Sequence, residues 1–298
     1  MTDAPGPEFD GSFALCLTHD VDRPYKTYQA LYYALAERDP AHLAALRPGH
    51  NPYWQFESLM DLEDDLGVRS AFYFLSEPGL RGRPVGEWLC PRSWIEHLTR
   101  YDVETPELAN IVRALDDGGW EVGLHGSFDS FDDRDRLREE KATIERALGH
   151  EVLGGRQHFL NLAPGKETWR HHRAIGLDYD SSLGSSTEYG FQHGYDPFRP
   201  FDDAFVVFPL TAMETALVED GDFKASWEAC EGLLREAAAN DAVMTVLWHP
   251  RLVGEDFPGY RELYRRLIER ALEMDGWVGP PRDLYERLDD PEMGAIEV

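Results

Sequence analysis

The segment Thr18-His19-Asp20-Val21-Asp22 brings two carboxylates and an imidazole together at the end of a short apolar run, Phe13 to Leu17. A buried strand that stops in acidic residues presents them at one edge of a sheet, where they can meet a cation or a substrate. Two aspartates this close would cost several kcal/mol in a dry interior unless positive charge offset them. The segment therefore implies a metal or basic partner, or else a solvated turn that caps a helix. The pattern recurs along the chain. Glu121 to Leu124 runs into His125, Val152-Leu153 into Arg156-Gln157-His158, Val243 to Trp248 into His249, and Ala71 to Leu75 into Ser76-Glu77. Taken singly, each of these is as well read as a hydrogen-bonded structural residue; their shared place at strand ends makes Asp20, Asp22, His125, Arg156, His158 and His249 a candidate site.

Positioning them requires alternating elements. Between the β-rich runs, with Phe205 to Phe208 as a further one, helical periodicity covers Tyr25 to Glu37, Pro52 to Leu66, Pro106 to Gly118, Asp132 to Leu148, Glu167 to Ile175, Phe223 to Asn240 and Tyr260 to Met274. Strand-helix alternation implies parallel pairing through right-handed crossovers, which gathers the active strand ends on one face. Because the candidate residues come from many strands, the pattern predicts an α/β fold of the distorted (β/α) barrel kind, with about seven strands, rather than an open sheet with one crevice. No glycine-rich phosphate loop follows any strand, and Glu121 to Gly126 has the wrong order for a dinucleotide turn. Two long stretches, Pro78 to Tyr101 and Gly184 to Pro200, suit a lid or groove over the strand ends. Their Trp88, Trp94, Tyr189, Phe191 and Tyr195 would stack on sugar rings or pack the loops themselves.

Composition narrows the setting. The 298 residues are expected to form a single domain, with 1–11 flexible. Formal net charge is −27, from 56 acidic and 29 basic residues, and only four of the latter are lysines, Lys26, Lys141, Lys166 and Lys224. Such self-repulsion is screened at molar salt, where the Debye length is about 3 Å, so the composition suggests a halophilic cytoplasm. Nucleic acid is disfavoured, since no basic stripe can neutralise phosphates. Absence of a signal-like N-terminus or a long apolar run gives a cytoplasmic expectation without membrane insertion. Cys16, Cys90 and Cys230 lack metal or redox spacing and read as free thiols. The oligomeric state has no signature.

The order of these motifs resembles the polysaccharide deacetylase superfamily, the carbohydrate esterases of family four and related formyl- and acetyl-amide hydrolases. The family's first motif, T-F-D-D, is matched by Thr18 to Asp22. The series H-D-V-D, then G-L-H in Gly123 to Ser130, then R-Q-H in Gly155 to Leu160, then L-D-Y-D-S-S-L-G in Leu177 to Gly184, is similar to a branch associated with cell-surface polysaccharides. The likeness runs from residue 13 to about residue 250. It implies that Asp20 is the general base, that Asp22 and His125 bind a metal, that Arg156 holds the catalytic carboxylate, and that His249 protonates the leaving amine with Asp180 loosely in the place of the acid that orients it. The chemistry is coherent: an amide needs an activated water and a protonated leaving nitrogen.

Two departures matter. The family's H-x-x-x-H has Asp129 in place of its second histidine, so the third ligand is either His158 or Asp129, the latter also a candidate cap for the following helix. Val21 separates the aspartates, which leaves the base and ligand roles of Asp20 and Asp22 exchangeable. A carboxylate and imidazoles suit zinc, with cobalt, nickel or manganese by the same donor set. The expected substrate is an acylated sugar or glycan precursor in cell-surface glycan assembly. A catalytically silent glycan-binding relative and another barrel amidohydrolase are the alternatives.

Overall fold

A computed structural model of the chain describes residues 11–289, apart from 37, 48, 78, 80–84, 91–93, 95, 96, 99, 219 and 220. The expectation for 1–11 falls, except for Gly11, outside the described residues, as does part of the stretch from Pro78 to Tyr101. Nine strands form one sheet: β1 (Ala14–Val21), β2 (Ala71–Leu75), β3 (Glu121–Gly126), β4 (Gly154–Gln157), β5 (Tyr179–Asp180), β6 (Val206–Val207), β7 (Leu210–Met213), β8 (Val243–Leu247) and β9 (Trp277–Gly279). Their order is β6-β5-β4-β3-β2-β1-β8-β7, every neighbour parallel. The outermost strands β6 and β7 are joined by Phe208-Pro209 alone. The three Cα–Cα steps from Val207 to Leu210 span at most about 11 Å, so the sheet curls until its edges approach. The result is a distorted (β/α) barrel.

Strand β1 runs further than its apolar stretch suggests. Thr18 to Val21 pair with Ala71 to Phe74 of β2, while Ala14 to Cys16 pair with β9, which fills the edge that β2 leaves open. Alternation along β1 then sorts its residues. Ala14, Cys16, Thr18 and Asp20 share the barrel interior with Tyr73 and Tyr179, whereas Leu15, Leu17 and His19 face the helical layer. The large interior tyrosines require small neighbours: a Cβ on Gly123 would lie 2.4 Å from the Tyr73 ring, and one on Gly154 2.0 Å from Tyr179.

The helices are α1 (Tyr28–Ala36), α2 (Phe56–Leu66), α3 (Pro106–Asp117), α4 (Arg134–Leu148), α5 (Glu167–Ala174), α6 (Glu214–Leu217), α7 (Phe223–Ala239), α8 (Tyr260–Glu273) and α9 (Pro281–Asp289). On α8, Leu263, Tyr264, Leu267, Ile268 and Ala271 form the buried stripe expected of a helix laid on a sheet. The cap of α4 is Asp133, which accepts from the backbone N–H groups of Asp135 and Arg136, and not Asp129. Among the described residues no helix is long and apolar enough to cross a membrane. None of the three cysteines forms a disulfide among the described residues; Cys16 and Cys230 are buried and Cys90 is partly exposed.

Candidate active site

The C-terminal ends of β1, β3, β4, β7 and β8 converge. Asp20 and Asp22 leave β1, His125 is the penultimate residue of β3, Arg156 and His158 close β4, Glu214 follows β7 directly and His249 lies two residues after β8. This is the face where barrel strands present their functional groups.

Asp22 is the hub. Its Oδ1 lies 3.1 Å from His125 Nε2 and 3.5 Å from His158 Nε2, and its Oδ2 lies 3.2 Å from His249 Nε2 and 3.1 Å from Arg251 Nη1. Burial by itself would raise its pKa, but His249 and His158, with hydrogen bonds from His125 and His249, hold the carboxyl well below its usual range. Asp20, buried two residues earlier, has different partners. Its Oδ1 accepts from Arg156 Nη1 at 2.8 Å, and its Oδ2 stands 3.8 Å from His125 Nε2. Val21 is what separates them: residues two apart on a pleated strand share a face, so both carboxylates turn to the same side, Asp20 deeper in the barrel and Asp22 at its rim.

Arg156 is buried and fully tethered. Nε donates to Ser181 O at 2.7 Å, Nη2 to Ser181 Oγ at 2.9 Å and Nη1 also to Thr18 Oγ1 at 2.9 Å, with the guanidinium 5.2 Å from the centre of the Tyr73 ring. It therefore presents a fixed charge to Asp20.

Asp22, His125 and His158 can place one ligand atom each within 4.8 Å of one another. The donor chemistry fits a cation. His125 Nδ1–H donates to Arg156 O at 2.9 Å, so the ring would meet a cation through Nε2, the nitrogen that faces Asp22. Burial, the largest influence, pushes His158 down to about 4, with His125 and His249 adding to it against Asp22 and Asp20, so its imidazole is neutral near pH 7. Bond lengths of 2.0–2.1 Å around a tetrahedral zinc imply donor separations of about 3.3 Å, between the 3.1 and 3.5 Å found here. Asp129 is not part of this group. His158 reaches it because β4 lies beside β3 with His125 opposite Arg156, so that the two imidazoles meet with ring centres 5.1 Å apart. The chain then leaves β4 through Phe159 and Leu160, both at φ 57°. Left-handed backbone at consecutive non-glycine residues costs on the order of 1 kcal/mol each and is tolerated mostly at functional sites.

His249 is held from behind by Glu214, whose Oε1 is 2.5 Å from Nδ1. Burial opposes its charge, but Glu214 foremost and Asp22 raise it to about 10 against the repulsion of Arg251. Asp180, expected near this histidine, is instead bound to Trp169 Nε1, Ser182 and His172 behind β5. The correction follows from topology: β5 lies on the far side of β4, whereas β7 is the neighbour of β8. Glu214 and Arg251 join the site although neither is among the residues expected from the sequence. Glu214 obeys the same strand-end rule as the others, but its strand lies after Pro209, not before it. His19, within the first motif, points away from the site and bonds Trp248 O at 2.6 Å and Glu63 Oε1 at 3.0 Å.

No protein-family model matches the sequence, and no curated protein matches it. Solved structures match in fold. A probable polysaccharide deacetylase from Pseudomonas aeruginosa PAO1 superposes with TM-score 0.64 at 14% identity, covering 98% of this chain and 96% of that one. A protein from Mycobacterium smegmatis designated a polysaccharide deacetylase gives 0.62 at 18%, covering 97% and 95%, and a PuuE allantoinase 0.61 at 14%, covering 98% and 96%. The chain has the polysaccharide deacetylase fold, in agreement with the order of its motifs.

Proposed function

We propose that this barrel hydrolyses the N-acetyl or N-formyl amide of a sugar, with a divalent cation held by Asp22, His125 and His158 and zinc the best fit to that donor set. The observation that carries the reading is the different setting of two aspartates two residues apart: Asp22 sits among imidazoles, and Asp20 is gripped by Arg156 at 2.8 Å. That asymmetry favours Asp20 as the base and Asp22 as the ligand over the exchanged assignment. The cation would polarise the acyl carbonyl and lower the pKa of the attacking water from about 15.7 towards about 7. Asp20, held in place by the immobile guanidinium, takes the water proton on its free oxygen. His249, kept protonated by Glu214, delivers a proton to the leaving nitrogen, without which an amine does not depart. The neighbouring polysaccharide deacetylases, by their names, support an acylated sugar or glycan precursor as substrate. A role in cell-surface glycan assembly, in the cytoplasm and at high salt, fits the sequence motifs and the acidic composition.

A second reading has its own support. Arg251 already lies 3.1 Å from Asp22 and could neutralise it, as in a glycan-binding relative that neither loads a metal nor hydrolyses. Metal content by plasma mass spectrometry on protein purified in high salt separates the two, with acetate release from N-acetylglucosamine oligomers measured in parallel. Near-stoichiometric metal in wild type and in Asp129→Ala, absent in His125→Ala and His158→Ala, is the expected result. No metal after zinc is added back would sink the hydrolase and leave the binding relative.

A further inference from the structure

Beside the site, the long connection from β1 to α2 builds a second cavity of about 440 Å3, lined by Tyr25, Lys26, Arg47, His50, Trp54 and Glu107 among others. It adjoins the catalytic hollow through consecutive residues: Arg23, Pro24 and Tyr53 line the hollow that contains Asp20, Asp22 and Arg251, and Tyr25 and Trp54 line the cavity. Asn51 fixes the shared wall. Its side chain donates to Pro24 O at 2.7 Å and accepts from the backbone N–H groups of Lys26 and Tyr53 at 3.2 Å. The turn that carries Arg47 and His50 is closed by His50 N–H on Arg47 O at 3.2 Å, with Gly49 at φ 78°.

With 56 acidic residues to 29 basic, many arginines pair with carboxylates, as Arg69, Arg146 and Arg265 do, and others are held by carbonyls, as Arg170 and Arg261 are. The side chains of Arg47, His50 and the neighbouring Arg23 have no hydrogen bond or ion pair among the described residues. Lys26 is buried and taken by Asp256, and Glu107 accepts from Tyr25 OH at 2.7 Å. Tyr25 and Trp54 pack with ring centres 5.6 Å apart and form an aromatic wall. Cations left without carboxylates next to an aromatic wall make a receptor for a phosphorylated group with a ring attached. The volume suits a ligand-sized extension of the substrate.

We propose that this cavity binds a phosphate or pyrophosphate carried by the sugar, so that the substrate is an activated or phosphorylated acylated sugar. Arg47 supplies the counter-charge, His50 a ring nitrogen for hydrogen bonding, and Trp54 with Tyr25 the platform. This rests on the amide-hydrolase reading for the identity of the sugar, but not for the anion site itself. Calorimetric titration, which needs no turnover, separates the two. The probes are methyl N-acetylglucosaminide, N-acetylglucosamine 1-phosphate, UDP-N-acetylglucosamine and pyrophosphate. Wild type should bind a phosphorylated sugar at least about 10-fold more tightly than the neutral glycoside. Arg47→Gln and, more weakly, His50→Gln should erase that preference while leaving the melting temperature and the neutral glycoside's affinity unchanged. Preference for N-acetylglucosamine 1-phosphate alone points to a sugar phosphate, and a further gain with UDP, lost in Trp54→Ala, to a nucleotide sugar. Equal affinity for charged and neutral probes, no binding of either, or an Arg47→Gln protein that keeps the preference overturns the proposal. Acetate release from the neutral glycoside without charge preference would leave the hydrolase standing and this site refuted; tight phosphate-dependent binding without hydrolysis would do the reverse.

Discussion

Glu214 Oε1 lies 2.5 Å from His249 Nδ1, both side chains buried, while the other nitrogen of the same imidazole faces Asp22 at 3.2 Å. One carboxylate thus fixes the ring and its charge, and the other meets its working edge. The pairing resembles the carboxylate–histidine arrangements that orient a catalytic imidazole.

Replacing Glu214 by Gln keeps the shape and removes the charge that does most to raise His249. The folded imidazole then loses its proton at lower pH. Since the acid must be protonated to act, the alkaline limb of the rate profile should move to lower pH, with kcat down by about 100-fold at neutral pH. A profile that keeps its alkaline limb would mean that His249 is not the acid or that Glu214 does not tune it.

Asp20 and His125 should fail in different ways. Asp20→Asn leaves Asp22, His125 and His158 in place, so metal content should stay at the wild-type level while turnover falls by about 10²–10⁴-fold, the usual weight of a general base. His125→Ala should lose both metal and turnover. Paired metal and rate measurements decide it, and an active Asp20→Asn would reassign the base.

The contrast between these two residues was only half visible in the sequence. Spacing placed both aspartates at a strand end, but which one is gripped by Arg156 depends on the register between β3 and β4 and on the order of strands, neither of which periodicity records. The seven expected helices were legible to within about four residues at each end, whereas the short Glu214–Leu217 and the C-terminal Pro281–Asp289 were not. Tyr260 to Met274 is observed as Tyr260–Glu273, because a buried stripe repeating at 3.6 residues is a long, redundant signal. Short strands were not. Tyr179–Asp180 and Trp277–Gly279 have two and three residues, too few to show alternation, and they are strands because the barrel supplies their neighbours. Missing β7 hid Glu214, and with it the true partner of His249. The nine strands against about seven expected have the same origin.

Arg156 should be as important to folding as to turnover. It makes four hydrogen bonds from a fully enclosed position, and among the described residues Asp20 has no other cation at salt-bridge distance apart from His125 at 3.8 Å. Arg156→Met strands a buried carboxylate, a loss of about 3–5 kcal/mol. Arg156→Lys restores charge but cannot reach Ser181, Thr18 and Asp20 together, so it should recover part of the stability and little of the rate. Denaturant melts of the two variants read this directly, and an Arg156→Met protein as stable as wild type would refute the role.

The opposite end of the barrel offers a test of stability alone. Glu121 begins β3, buried, with Tyr179 OH donating to Oε1 at 2.5 Å and Arg282 N–H to Oε2 at 3.0 Å. Burial outweighs these bonds and pushes its carboxyl up to about 7 from 4.5. The folded protein therefore binds this proton more tightly than the unfolded chain. Its contribution to stability is complete below about pH 4.5 and is lost as pH rises through 7, the slope being negative wherever the folded state holds the extra proton. Over that window the loss is on the order of 3 kcal/mol. Glu121→Gln keeps the side-chain shape and abolishes the titration. The stability difference between wild type and Glu121→Gln should therefore shift in favour of the variant between pH 4.5 and 8, measured as paired unfolding free energies at fixed salt. Glu140, likewise raised to about 7 and present in both proteins, cancels from that difference. A difference that stays constant with pH would show that Glu121 is ionised in the folded state at an ordinary pKa.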